Sequence, residues 1–215
     1  MASYFQLTLD TLAPVISAFT INDGASVTTS TTVTLKITCE DATSMKIWGI
    51  NGVANEASAT WETFASTKQV TLTSGDGTKT VYIKVRDSVY NESATSSDTI
   101  TLSTAIPTIT ITGPDVSVIS EQSGKDTASF SFTSSMALKA YTVRLVPANS
   151  SDHTAGTQIP TTAGSTNMSG TTVTANTSVS CTIKGTDLST AAGGTDGTYI
   201  IKVFGQASAN DLWSA

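Results

Sequence analysis

His153 is the chain's one histidine, and it stands beside Asp152 in a polar stretch. A Ser/His/Asp hydrolase would need an oriented nucleophile and an oxyanion hole, and no Gly-x-Ser-x-Gly elbow supplies them. His153 therefore reads as a solvated loop residue. Glu40-Asp41 and Asp87 with Glu92 could bring carboxylates together at one end of the first half of the chain. Calcium takes about six to eight oxygen ligands, more than these positions offer, and no EF-hand spacing is present. Two scattered cysteines, Cys39 and Cys181, and one histidine make zinc a poor fit as well. Gly193-Gly194 precedes a turn, not a helix, so there is no phosphate loop or dinucleotide fingerprint. The sequence predicts no catalytic residue, no cofactor and no metal.

Aromatic and apolar residues are then the candidates for contact. Trp48 ends an alternating run and is expected in the core. Trp61 and Phe64 fall in an irregular stretch, where they would form a sugar-stacking or protein-contact surface, or fill the core under a long loop. Phe5, Leu7 and Leu9 alternate near the amino terminus, and Trp213 follows Leu212 near the other end.

The elements that must carry these residues are strands. Of 215 residues 39% are hydrophobic and only 13% charged, with Ser, Thr, Gly and Val throughout, a composition suited to pleated strands and polar turns. Val33, Leu35, Ile37 and Cys39 share one face of an alternating run. Further runs at Val15–Ile21, Ser44–Trp48, Gln69–Leu72, Thr80–Val85 and Asp98–Leu102 are separated by Gly, Asp, Asn and Ser turns. This spacing predicts an antiparallel sandwich, and no stretch sustains a helical period.

The second half repeats the first in divergent form. Pro14-Val15-Ile16 and Pro107-Thr108-Ile109 are offset by 93 residues, as are Met45-Lys46-Ile47 and Leu138-Lys139-Ala140. Asp76-Gly77-Thr78 before Val81–Val85 recurs as Asp196-Gly197-Thr198 before Tyr199–Val203. The extra length lies between Pro147 and Gly170, where an insertion would form a surface loop suited to recognition. The expected division is an arm over 1–9, a first domain over 10–104 and a second over 105–215. Each domain then holds one of the two cysteines, so neither can carry its own inter-sheet disulfide, and both read as buried thiols.

The formal net charge is −6, shared as −4 over 1–104 and −2 over 105–215, with no basic patch to hold nucleic acid. No run reaches the roughly 18–20 apolar residues that cross a bilayer as a helix. Met1-Ala2-Ser3-Tyr4-Phe5 lacks the basic and apolar regions of a secretory signal, so synthesis and release in a cytoplasm are expected.

Asp10-Thr11-Leu12-Ala13-Pro14 ahead of a strand, and Tyr82-Ile83-Lys84-Val85-Arg86-Asp87 ahead of Asn91-Glu92-Ser93-Ala94, resemble the opening and penultimate-strand signatures of bacterial immunoglobulin-like repeats. The resemblance covers residues 10–103 and, more weakly, 107–204. Where such repeats usually have Gly-Asn in the loop after the penultimate strand, this chain has Tyr90-Asn91, and asparagine is expected to take the positive φ there. The resemblance implies two tandem all-β immunoglobulin-like sandwiches. It also implies a non-enzymatic structural or adhesive role on a tailed-phage virion, decorating the capsid or attached to the tail. Partners would be other virion proteins, copies of the chain itself and host-surface carbohydrate, with no nucleic acid and no membrane. The alternative is a module of a bacterial cell-surface adhesin or of a carbohydrate-binding protein.

One expectation concerns the ends of the repeats. Residues 5–11 precede Pro14 much as 99–104 precede Pro107, so the amino-terminal segment reads as a final strand without a domain before it. The second domain, by contrast, has little sequence left for a final strand after Val203. Residues 4–10 are therefore expected to pair with a sheet edge on another chain, or else to stay a loose arm while Leu212-Trp213 forms a stub of the last strand.

Overall fold

Period-two alternation dictates the first domain. The computed structural model describes residues 5–147 and 149–214, and the chain divides into two compact units, Met1–Thr104 and Ala105–Ala215. In the first unit, β1 (Ile16–Ile21), β2 (Val27–Thr28), β3 (Thr32–Cys39), β4 (Ser44–Trp48), β5 (Glu62–Thr63), β6 (Thr67–Thr71), β7 (Gly77–Arg86) and β8 (Ser96–Leu102) follow in order. They form two sheets, β1-β3-β6 and β2-β8-β7-β4-β5, antiparallel except where β2 runs parallel to β8.

On β3 the threonines and Lys36 face outward while Val33, Leu35 and Ile37 are buried. Met45 and Ile47 of β4, Val81, Ile83 and Val85 of β7, and Ile100 of β8 meet them from the second sheet. Burying each such side chain contributes about 1.5–3 kcal/mol, which is what holds sheets joined by few polar links. One such link runs from the Ile21 N–H of β1 to Asp98 Oδ2 of β8, at 2.8 Å.

The second unit contains β9 (Ile109–Thr112), β10 (Thr127–Ser134), β11 (Leu138–Val146), β12 (Thr157–Gln158), β13 (Ser169–Val173), β14 (Val179–Lys184), a helix α1 (Gly185–Ala191) and β15 (Ile200–Ala207). One sheet is β14-β10-β9. In the other, β11 is flanked by β12 and β13 on one side and by β15 on the other. Both units are thus all-β immunoglobulin-like antiparallel sandwiches. Their elements correspond: β1-β3-β6 with β9-β10-β14, β4 with β11, and β7 with β15.

Two expectations need correction here. The stretch between Pro147 and Gly170 is no plain surface loop. Ile159 and Met168 are fully buried in the second core, and the Ile159 N–H and Val143 N–H bind Val143 O and Met168 O, respectively. Arg144 fixes the turn before them, donating from Nε to Ala155 O and from Nη2 to Thr154 O and Gly156 O at 2.8–3.1 Å. The helix α1 was also not foreseen. At seven residues it makes about two turns, too short for its one large apolar residue, Leu188, to set a period.

The thiols differ. Cys181 is 1% exposed in the second core, whereas Cys39 is only partly buried at the end of β3, and neither is in a disulfide. Burial pushes the Cys181 thiol up to about 11. Burial, then Asp41 and Glu40, also raise Cys39. Because the thiolate is the nucleophile, iodoacetamide at neutral pH is expected to modify Cys39 first and Cys181 only on unfolding. Peptide mass mapping that found Cys181 modified as fast as Cys39 in the folded protein would contradict this burial.

Candidate functional site

The face of the β4–β7 sheet turned away from the core carries the chemistry. With Met45 and Ile47 inward, alternation sends Lys46 and Trp48 outward, and on β7 it sends Tyr82, Lys84 and Arg86 the same way. Trp48 is therefore buried on the outer face instead of in the core between the sheets. The register pairs Trp48 with Tyr82 and Lys46 with Lys84. The two aromatic rings stack with centroids 5.6 Å apart and planes 8° from parallel.

Two lysines directly opposite one another repel, and a carboxylate shared between them offsets that repulsion. Glu56 opens a short 3-10 turn, Glu56–Ser58, whose start is fixed by reciprocal bonds between Asn55 and Ser58. Its Oε1 lies 2.7 Å from Lys46 Nζ and 2.8 Å from Lys84 Nζ. The hydrogen bonds from Lys46 and Lys84 hold the Glu56 carboxyl below its ordinary value, and the bond to Glu56 raises Lys84.

Arg86 is placed differently. Its guanidinium carbon lies 4.3 Å from the centroid of Trp61 and 4.6 Å from that of Tyr90, so two aromatic rings flank one cation, while Lys46 Nζ approaches Trp61 at 4.8 Å. Arg86 Nε is buried with no hydrogen-bond partner, and no carboxylate among the described residues pairs with the guanidinium. A buried donor left unpaired is costly, and a group able to reach the outer nitrogens would find them uncommitted.

The loop that brings Tyr90 to this face is held by Asp87. Asp87 Oδ1 accepts from the N–H groups of Val89 and Asn91 at 2.9 Å each, and Oδ2 from Asn91 Nδ2 at 2.8 Å. Burial pushes this carboxyl upward, but the bonds from Asn91, Val89 and Tyr90 outweigh it and leave the group below its ordinary value. The positive φ falls on Tyr90, at 70°, and not on Asn91 as the sequence suggested. Asn91 donates to Asp87 from its N–H and Nδ2, while Tyr90 holds the left-handed position and is 69% exposed.

The residues singled out in the sequence are divided by this geometry. Trp61 belongs to the Arg86 cluster. Phe64 is half-buried and packs against the first core, the filling role set beside contact for it. Trp213 is half-buried and stacked on His153, with centroids 4.2 Å apart, and it bridges Gln206. His153 is thus packed on an indole, not loose in solvent. Phe5, Leu7 and Leu9 are 84–85% exposed and lie in no strand. Arg86 and Tyr90, central to the face, stand in the sequence only within the penultimate-strand signature and as a departure from it, with nothing local to mark them as contact residues. The acidic pairs separate: Asp87 serves its loop, Glu92 lies 3.8 Å from Lys84, and no three His, Cys, Asp or Glu gather among the described residues.

No family model matches the chain, and no curated protein matches it. Among solved structures it is similar to chitinase ChiA74 from Bacillus thuringiensis, at 12% identity over 92% of this chain and 30% of that one, with a TM-score of 0.34. Fibronectin(III)-like modules of Clostridium thermocellum CbhA match at 12% identity, 92% and 90% coverage and a TM-score of 0.42. Carbohydrate-binding modules of the β-sandwich superfamily match at 13% identity, with 95% of each chain covered and a TM-score of 0.34. The chain thus spans less than a third of the chitinase chain it matches. At these identities and TM-scores no functional residue is carried across.

Proposed function

We propose that the chain is a non-enzymatic structural and adhesive protein whose outer face around Arg86 binds acidic carbohydrate at a cell surface. One observation carries this reading: an uncommitted guanidinium held between Trp61 and the exposed Tyr90. The apolar face of a pyranose ring stacks on an aromatic plane, and a uronate or sulfate on that ring takes the planar donors of arginine two at a time. Lys46 and Lys84, which share the Glu56 carboxylate, frame the site and leave it a net positive charge.

The setting that fits is the surface of a tailed-phage virion, on capsid or tail, beside other virion proteins and further copies of the chain. Its support is the resemblance of residues 10–103 to the immunoglobulin-like repeats of such particles. A module of a bacterial cell-surface adhesin would use the same face, and neighbouring capsid, portal and tail genes would separate the two settings.

Binding to an acidic polysaccharide such as polygalacturonate, measured by affinity electrophoresis beside a neutral glucan, tests the reading. The acidic polymer is expected to retard the protein and the neutral one not. Arg86→Met is expected to weaken retention about tenfold or more, through the loss of a charge-assisted bond worth about 1.5–3 kcal/mol. Trp61→Ala should weaken it too, with the melting transition as a check on folding. No reducing ends should be released. Equal retention of Arg86→Met and the parent chain, or cleavage of the polymer, would end the proposal.

A further inference from the structure

In the first domain β7 lies between β4 and β8, and β8 closes the sandwich by placing Ile100 and Leu102 in its interior at 1% exposure each. Among the described residues the second domain begins the same closure without a counterpart of β8. After β7 the chain turns so that Glu92 bridges Arg86. After β15 it turns so that Trp213 bridges Gln206, with the Ala207 N–H bonded to Leu212 O and the Ser214 N–H to Gly205 O. Along residues 200–204, among the described residues, no strand pairs with the edge of β15 opposite β11. The position that β8 fills has no occupant there.

An apolar groove of about 310 Å³ opens at that place, lined by Ile111, Val118, Phe130, Ile183, Leu188 and Ile201. Its rim is unusually apolar for a surface: Val118 is 84% exposed, and Ile111 and Val116 are 42% exposed. The other concentration of exposed apolar side chains is the amino-terminal segment, where Phe5, Leu7, Leu9, Leu12 and Val15 are 75–85% exposed. The offset of 93 residues that relates Pro14 to Pro107 also places Leu7 on Ile100 and Leu9 on Leu102. The segment therefore has the apolar spacing of a closing strand, while an incomplete sandwich in the same chain has the matching vacant edge.

We infer that residues 5–11 of one copy add to the free edge of β15 in a second copy, antiparallel to it, with Leu7 and Leu9 entering the groove beside Ile201. Strand addition satisfies the unpaired backbone groups of β15 and covers both apolar patches at once. Because the arm and the groove are different surfaces, the contact is head-to-tail and builds rings or chains of copies, not two-fold dimers alone. This inference is independent of the carbohydrate reading.

The test uses the full chain and two variants at exposed positions, which leave both cores untouched: Leu7→Asp with Leu9→Asp in the arm, and Val118→Asp at the groove. Sedimentation over a concentration series is expected to show the parent chain associating. Each variant alone should stay monomeric, with association weakened about a hundredfold or more. Mixed, the two variants should form one-to-one pairs, since one retains the groove and the other the arm. A synthetic peptide of residues 5–12 should dissociate the parent assemblies. Three results would each overturn the inference: a parent chain that stays monomeric throughout, association that survives both variants, or arm amides protected from exchange in a monomer, which would mean pairing within its own chain.

Discussion

Gly49→Ala is expected to destabilise the first domain by about 3 kcal/mol or more while leaving the unfolding of the second unchanged. Gly49 follows Trp48 with φ at +80°, where an alanine costs about 1–2 kcal/mol before any contact is counted. A Cβ built there would stand 2.2 Å from Thr80 O and 3.3 Å from the Tyr82 ring, so backbone must move, and overpacking adds about 1–3 kcal/mol. The movement falls on the turn where the N–H groups of Gly49 and Ile50 both bind Val53 O. It also falls on the Trp48–Tyr82 stack, on the same outer face as Arg86. Chemical denaturation should show the first domain's transition at lower denaturant, and near-ultraviolet circular dichroism should show loss of the aromatic signal. A change below about 1 kcal/mol would mean that β4 and β7 do not approach as closely as described.

The strands were legible because burial on one face forces alternation. β3 and β4 span the residues that the alternation indicated, and Val33, Leu35 and Ile37 lie inward as expected. The same rule, carried one residue past Ile47, places Trp48 beside Lys46 on the outer face. The expectation that Trp48 fills the core did not follow its parity, and an outer-face neighbour, Tyr82, stacks on it instead.

The candidate site was only partly legible. Trp61 could be picked out as an aromatic in an irregular stretch, but its partner Arg86 reads locally as the polar end of a strand. What makes Arg86 distinctive is the convergence of two loops, one carrying Trp61 and one carrying Tyr90, over the end of β7. Loop geometry of that kind is set by nonlocal bonds such as those of Asp87, and no periodicity encodes it. The stretch between Pro147 and Gly170 misled for the same reason. Ile159 and Met168 are isolated apolar residues in a polar run, and only the fold shows that the run crosses the core.

Asp187 makes the nonlocal bonds in the second domain, and removing it is expected to be costly. Its side chain is fully buried. It accepts from the Ala163 N–H and the Ser165 N–H at 2.9 Å each and from Thr162 Oγ1 at 3.0 Å, tying α1 to the stretch that brings Ile159 and Met168 inward. Asp187→Ala strands two backbone donors, and an unsatisfied buried donor costs about 1–3 kcal/mol. A loss of about 2–4 kcal/mol, confined to the second domain's transition, is expected. Burial pushes the Asp187 carboxyl upward, but the bonds from Ser165, Ala163 and Thr162 outweigh it and leave it below its ordinary value. A carboxyl depressed in the folded state contributes stability that is fully present above its unfolded value, about 3.9, and is lost as pH falls through the folded value. Asp126, held low by its bond to Lys184, titrates in the same domain, so the parent chain must be compared with the variant and not read alone. The gap between them should be constant from neutral pH down to about 5 and shrink below about 4. A gap that widened on acidification would show that Asp187 is not the ionised acceptor of these bonds.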